Sequence, residues 1–300
     1  MDRSKKTVIA VVGPTAVGKT AMAIRLATHF QTEILSADSR QCFRELNIGV
    51  ARPSKEELQK VTHHFIADRS ILENFTAADY ETFALTVADQ VFEHHDQLIL
   101  VGGTGLYIRS FLNGLDVIPE VDASVREGVM QLYASGGMEA LQEELKRVDT
   151  EFSSQGEMQN PQRMMRALEV FRSTGKSILS FRTGSSKTRP FVVKWVGLQL
   201  PREVLVERIN LRVDEMMVAG WLEEAKQVFP YRHLNALQTV GYKELFDHLD
   251  GKYSLEEAVE RIKISTRQYA KRQMTWFRGI PEIEWFDPTD VPGVLQAVSK

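Results

Sequence analysis

The chain has 300 residues, 43% of them apolar and 26% charged, with a formal net charge of -3 and one cysteine. That is enough apolar material for one large domain or two unequal ones, while the lone thiol, Cys42, excludes an internal disulfide framework and a multi-thiolate zinc site. No run approaches the ~20 apolar residues that span a bilayer, and Met1 to Lys6 leads into an apolar run with no signal-type segment, so a cytoplasmic protein without membrane contact is expected.

In chain order, the apolar run Thr7 to Val12 reads as a strand, Ala21 to Phe30 as a helix, and between them stands Gly13-Pro14-Thr15-Ala16-Val17-Gly18-Lys19-Thr20. Strand, glycine-rich turn and helix together are the context a P-loop requires. Its backbone N–H groups and the positive end of the helix dipole form a ready nest for phosphate. Lys19 would neutralise the outer phosphate, and Thr20 would offer its hydroxyl to Mg2+. The competing reading is a chance match in a surface loop, which the flanking strand and helix disfavour.

Glu33 to Ala37 reads as a second strand with Asp38-Ser39-Arg40-Gln41 at its carboxyl end, where ligands gather in open α/β sheets. Asp38 is a candidate proton acceptor there; the alternative is a turn or cap aspartate. A short helix is expected over Lys55 to Val61. His63-His64 follows in an extended segment whose adjacent side chains point apart, a poor metal pair. Thr76-Ala77-Ala78-Asp79 has capping-box spacing and opens a long helix to about His95.

Leu98 to Val101 reads as a central parallel strand followed by Gly102-Gly103-Thr104-Gly105. Many P-loop ATPases carry an aspartate after such a strand to help hold magnesium; here the position is Gly102. The two glycines and Thr104 leave room for a bulky second substrate to approach the backbone.

From 119 to 190 the alternation stops and helices are expected over Asp122 to Ala134, over Gly137 to Val148, and from Asn160-Pro161 onward. On the last, Gln162, Arg163 and Arg166 share one side, and Met164, Met165, Leu168 and Phe171 suit a core. The strand pattern resumes from Phe191 to Leu200. Pro201 starts a helix ending near Gly220, and Ser254-Leu255-Glu256-Glu257 has capping-box form for a helix to Arg278. The expected architecture is therefore α/β: a P-loop-type parallel sheet flanked by helices (1–118 and 191–300) with an all-helical insertion (119–190).

Charge is unevenly spread. Between Asn160 and Arg189 seven basic residues face one acid, Glu169, and between Arg261 and Arg278 six face none. Lys263, Arg267, Lys271 and Arg278 recur at steps of four and seven, which aligns them along one helix. Such asymmetry suggests a polyanionic partner; solvated helix faces are the bland alternative.

Taken together, GPTAVGKT, SADSRQCFRELNIGVARP, HHFIAD, VGGTGLYI, NPQRMMRALEV, TVGYKE and TRQYAKRQMTWFR closely resemble the bacterial tRNA dimethylallyltransferases, in family order from end to end. Departures are Cys42-Phe43 for Val-Tyr, Val50-Ala51-Arg52 for Thr-Ala-Lys and Trp221 for Leu. The resemblance implies Mg2+-dependent transfer of dimethylallyl from its diphosphate to N6 of the adenosine beside the anticodon, in tRNAs reading codons that begin with U. It implies that Asp38, Lys19, Thr20 and Arg126 serve the chemistry. Ser39, Arg40, Gln41, Thr104 and Arg126, with Asp38, would hold the adenosine or its surroundings. Gln162, Arg163, Met164, Met165 and Arg166, with Arg267, Lys271 and Arg278, would grip the anticodon stem-loop. A monomer is the default expectation. Two other classes fit part of the pattern: a P-loop kinase for a nucleoside-like acceptor, weakened by Gly102, and a non-catalytic RNA-binding protein, weakened by the intact Gly18-Lys19-Thr20.

Asp38→Ala is expected to leave tRNA binding largely intact in a filter assay while crippling transfer, whereas Lys271→Ala and Arg267→Ala weaken RNA binding. Normal turnover of the Asp38 variant would remove Asp38 from the role of base.

Overall fold

The computed structural model describes residues 6–184 and 186–299. By internal contacts the chain forms two compact units, Met1–Asn113 with Thr188–Lys300, and Gly114–Lys187. The first unit begins β1 (Thr7–Val12), α1 (Lys19–Phe30), β2 (Ile34–Ser36), α2 (Lys55–Lys60), β3 (His63–His64), α3 (Ala77–His94), β4 (Gln97–Val101) and α4 (Gly105–Asn113). The second unit holds α5 (Ala123–Val148), α6 (Thr150–Gln155) and α7 (Pro161–Thr174). The chain then returns to the first with β5 (Val192–Leu198), α8 (Arg202–Val218), α9 (Trp221–Val228), α10 (Tyr242–Leu249), α11 (Leu255–Arg278), β6 (Glu284–Phe286) and α12 (Val291–Ser299).

The described strands make one parallel sheet in the order β3-β2-β4-β1-β5-β6. β1 lies between β4 and β5, with Val8 opposite Leu98 and Val193. Because side chains alternate across a strand, Val8, Ala10, Leu98 and Leu100 enter one core with α3 and α4 residues such as Tyr80, Ala84 and Phe111. Ile9, Val11, Ile99 and Val101 enter another with Met22 and Leu26 of α1 and Val294 of α12. Burial on both faces explains the unbroken apolar runs. β6 and α12 carry no strong periodic signal, and β6 joins the sheet through three residues beside β5.

Local chemistry sets the helix ends. Thr76 and Asp79 complete a capping box at α3. At α11 only half of the expected box forms: Ser254 accepts from the Glu257 N–H, while the Glu257 carboxylate turns to Arg261 at 2.7 Å. The two helices expected around residues 122–148 are one run interrupted at Gly137, where φ is 63° and ψ is -153°. In the second unit Met164 is fully buried beside Leu141, Leu145 and Leu168, and Met165 packs against the same core.

Several cations of the basic segments are engaged by groups of the protein itself. Arg189 donates to Glu81 Oε1 at 2.8 Å and to the Ser110 carbonyl at 2.9 Å, with both charged side chains about nine-tenths buried. Lys263 pairs with Asp214 at 2.9 Å and Glu260 at 3.0 Å, and Arg267 donates to Asn210 at 2.9 Å. The counted charge therefore overstates what a polyanion can meet.

Removing one partner of a buried ion pair leaves the other charge uncompensated. Glu81→Leu, which takes the carboxylate from the buried Arg189 guanidinium, is expected to lower unfolding free energy by about 3 to 5 kcal/mol in denaturant titrations.

Candidate active site

Three loops meet at the carboxyl edge of the sheet, following β1, β2 and β4. The P-loop occupies 13–18, and Gly18, at φ 108°, opens α1 in a left-handed conformation that favours glycine. The Lys19 ammonium donates to the carbonyls of Gly13 at 3.0 Å and Pro14 at 2.8 Å. Burial pulls its pKa down to about 7, the Asp38 charge opposes that shift, and the Arg212 guanidinium adds to it. Thr20 lines the same cavity, of about 450 Å3, with Lys19, Gln41, His63 and Arg212.

The loop after β2 presents Asp38. Its Oδ1 accepts the N–H groups of Arg40 at 2.8 Å and Gln41 at 3.2 Å, so a turn holds the carboxylate through one oxygen. Asp38 therefore shapes the turn and also lines the P-loop cavity. Gln41 donates to the carbonyls of Val50 at 3.2 Å and Ala51 at 2.8 Å, and Arg40 to those of Asn235 at 3.0 Å and Ala236 at 3.1 Å. These side chains brace neighbouring loops. Ser39 and Thr104 are joined, the Ser39 N–H donating to Thr104 Oγ1 at 3.0 Å.

Asp38 also borders a second cavity, of about 350 Å3, lined by Ser39, Arg40, Thr104, Arg272 and an apolar side. Thr15, Ala16, Val50, Arg212 and Tyr269 border both spaces. Burial pushes the Tyr269 phenol up to about 12, which keeps it a neutral donor at physiological pH. Burial also draws Arg212 below its ordinary value, with Asp38 and Glu215 opposing; its Nη1 lies 3.4 Å from Thr15 Oγ1.

The glycines after β4 make room for neighbouring protein groups, and both also line the P-loop cavity. A Cβ at Gly102 would lie 2.3 Å from the Ala37 carbonyl oxygen, and one at Gly103 would lie 2.2 Å from Gln273 Nε2. Gln273, only 6% exposed, donates to the Gly103 carbonyl at 3.0 Å and accepts the Thr15 N–H at 2.9 Å. It thereby ties α11 to two of the three loops.

Other expected residues are placed as follows. Lys271 and Arg278 stand exposed on α11, Trp276 is 38% exposed and Phe277 is buried. Within the insertion, Gln162 and Arg163 are exposed, and Arg163 pairs with Glu157. Arg126 and Arg166 both face Glu169, at 3.8 and 3.1 Å. Met164 is the clear correction, since a fully buried side chain cannot touch RNA. Gln273, Arg212, Arg208 and Tyr269 were not singled out by sequence. Arg208 and Arg212, four apart on α8, were the available signal. His63 lines the P-loop cavity with its Nδ1 2.8 Å from the Val61 carbonyl, and its charged form is disfavoured by burial.

Residues such as Thr20 suit a hard cation. Among the described residues no three His, Cys, Asp or Glu side chains cluster as a metal cage, so an ion beside Thr20 would take its other oxygens from ligand and water, as Mg2+ does.

The family model described as IPP transferase matches residues 41–280. A tRNA dimethylallyltransferase of Cytophaga hutchinsonii is 46% identical over 291 residues, covering 97% of this chain and 96% of its own. One from Flavobacterium johnsoniae is 48% identical, covering 94% and 93%. Among solved structures, a tRNA isopentenylpyrophosphate transferase of Bacillus halodurans superposes with a TM-score of 0.73 at 34% identity, covering 98% of this chain and 96% of that one. A eukaryotic dimethylallyltransferase acting on tRNA superposes at 0.79 with 27% identity, covering 98% and 77%.

A Lys19 pKa of about 7 leaves the amine largely neutral at about pH 8, and an adjacent polyanion restores its charge. Inorganic diphosphate binding at that pH is expected to take up a proton, read by calorimetry in two buffers of different ionisation enthalpy. Lys19→Met should abolish that uptake, and equal uptake in the variant would refute it. Gln273→Ala, which frees the Thr15 N–H and the Gly103 carbonyl, is expected to weaken diphosphate binding about tenfold.

Proposed function

The chain belongs to the IPP transferase family, the tRNA dimethylallyltransferases, and from that premise we infer how its site works. It is a prenyltransferase acting on tRNA, modifying the adenosine that follows the anticodon in tRNAs reading codons beginning with U. We propose dimethylallyl diphosphate as donor and N6 of the adenine as acceptor. The observation that carries the reading is Asp38, which borders both the P-loop cavity and the second cavity.

The donor's diphosphate lies in the P-loop, where backbone N–H groups, Lys19 and Arg212 stabilise the negative charge that grows as the C–O bond breaks. Its electron pair leaves with diphosphate while the N6 lone pair forms the new bond to the allylic carbon. That lone pair is delocalised into the purine, so loss of the N6 proton must accompany bond formation. Asp38 takes it; the turn engages Oδ1 and leaves Oδ2 for the proton. The Thr20 hydroxyl would help hold Mg2+, which when bound would add charge neutralisation on the diphosphate. Ser39, Arg40 and Thr104 flank the purine, and Gln41 acts indirectly by bracing the loop at 50–51.

A stacked loop base cannot enter such a cavity, so the adenosine is extruded. Exposed Lys271 and Arg278 meet phosphates, as do Gln162, Arg163 and Arg166 of the insertion. Arg126 is assigned to substrate by family likeness alone. Binding of this kind falls steeply with salt. No helix among the described residues is long and apolar enough to cross a membrane. We propose a cytoplasmic enzyme that works as a monomer.

Single-turnover incubation of the enzyme, Mg2+ and unmodified tRNA with labelled dimethylallyl diphosphate should place label in the tRNA, and a matched reaction with labelled ATP should not. Phosphate transfer from ATP without allyl incorporation would overturn the assignment.

A further inference from the structure

The loop at 47–52 walls both cavities: Gly49 and Val50 border the second, and Val50, Ala51 and Arg52 border the P-loop cavity. A segment outside helix and strand must find other partners for its backbone polar groups. Here its N–H groups go to one side chain of α9. The Glu224 carboxylate accepts those of Asn47 at 2.9 Å and Ile48 at 2.8 Å through Oε2, and that of Gly49 at 2.9 Å through Oε1. Successive N–H groups of this kind form a nest that favours an anion. The Tyr242 hydroxyl donates to the same Oε1 at 2.5 Å, and burial together with the Glu224 charge pushes that phenol well up, so it stays a donor.

The carbonyls of the loop are held by other side chains. Gln41 Nε2 donates to those of Val50 and Ala51, and the backbone N–H of Gln41 donates to Asp38 Oδ1. Arg52 Nη2 donates to the carbonyl of Phe43 at 2.7 Å and to that of Leu46. The loop also lies hard against α10, since a Cβ at Gly49 would stand 2.6 Å from the Tyr242 hydroxyl oxygen. A chain of hydrogen bonds therefore runs from Glu224 through 47–51 to Gln41 and the Asp38 turn.

We propose that Glu224 is a positioning residue for the transfer step: by filling the N–H nest at 47–49 it fixes the wall common to both cavities and, through Gln41, the carboxylate of Asp38. The inference rests on the transfer reaction proposed above. Glu224→Gln replaces one acceptor oxygen with an amide donor, which faces N–H or O–H groups that need an acceptor. A reacting group displaced by about 1 Å loses up to about 100-fold in rate. Affinity for diphosphate, which rests on the P-loop N–H groups and Lys19, should move little.

The test measures single-turnover transfer at saturating donor and tRNA, the Kd of inorganic diphosphate and thermal melting, for wild type, Glu224→Gln, Tyr242→Phe, Gln41→Leu and the Glu224→Gln, Gln41→Leu double variant. Glu224→Gln is expected to lose at least about tenfold in rate with the diphosphate Kd within about twofold. Tyr242→Phe takes one donor from the same carboxylate and leaves the N–H nest, so it should melt earlier and keep its rate within about twofold. The double variant should lose less than the product of the two single losses, because both act through one loop. A normal rate in folded Glu224→Gln overturns the proposal, as do losses that multiply fully. An equal rate loss in Tyr242→Phe at an equal loss of melting temperature also overturns it, since the role would then be structural only. Should Glu224→Gln fail to fold, Glu224→Asp, which keeps the charge on a side chain one methylene shorter, carries the same expectations. Wild type that transfers no allyl group refutes the transferase reading and this inference with it, whereas an active wild type beside an unimpaired variant refutes this inference alone.

Discussion

The carboxyl ends of β2 and β4 approach so closely that the Ala37 backbone fills the space where Gly102 would carry a side chain. The Ala37 N–H donates to the Val101 carbonyl at 2.7 Å, and the Thr104 N–H donates back to the Ala37 carbonyl at 3.2 Å. This backbone seam brings Asp38 and Thr104 to one edge, beside the P-loop that follows β1. It also excludes the magnesium-binding aspartate that many P-loop ATPases carry after this strand, because no side chain fits there. A site that keeps the phosphate nest but lacks that carboxylate suits diphosphate as a leaving group better than a nucleotide awaiting hydrolysis.

The electrostatics follow from placing like charges in one dry space. Lys19 and Arg212 face each other's field, and each has its charged form disfavoured by burial and favoured by Asp38. The Lys19 ammonium donates to its own loop's carbonyls. A polyanion placed beside Lys19 and Arg212 would favour the charged form of both cations. Gln273 contributes differently: it holds the P-loop and the β4 turn in register from a helix far along the chain.

The insertion and α11 show why counted charge is a coarse guide. Arg189 pairs with the buried Glu81 and Lys263 with Asp214, and Arg126 and Arg166 share Glu169. What remains for RNA is a smaller exposed set, with Lys271 and Arg278 on α11 the plainest members. Phosphate recognition by a few exposed cations gives affinity without sequence preference.

Sequence by itself determined the α/β alternation, the P-loop, the helical insertion and Asp38 at a strand's carboxyl end, because each is written in local order: apolar runs, glycine spacing and caps. Motif order from end to end determined the family for the same reason. Only the tertiary structure decided which distant side chains complete the site. Gln273 lies 258 residues from Thr15, and Arg212 reaches the P-loop from α8, contacts that no local pattern encodes. Tertiary packing also decided that Met164 is core and that the glycines after β4 accommodate Ala37 and Gln273. Volume exclusion is a property of neighbours in space, and a one-dimensional pattern does not contain it.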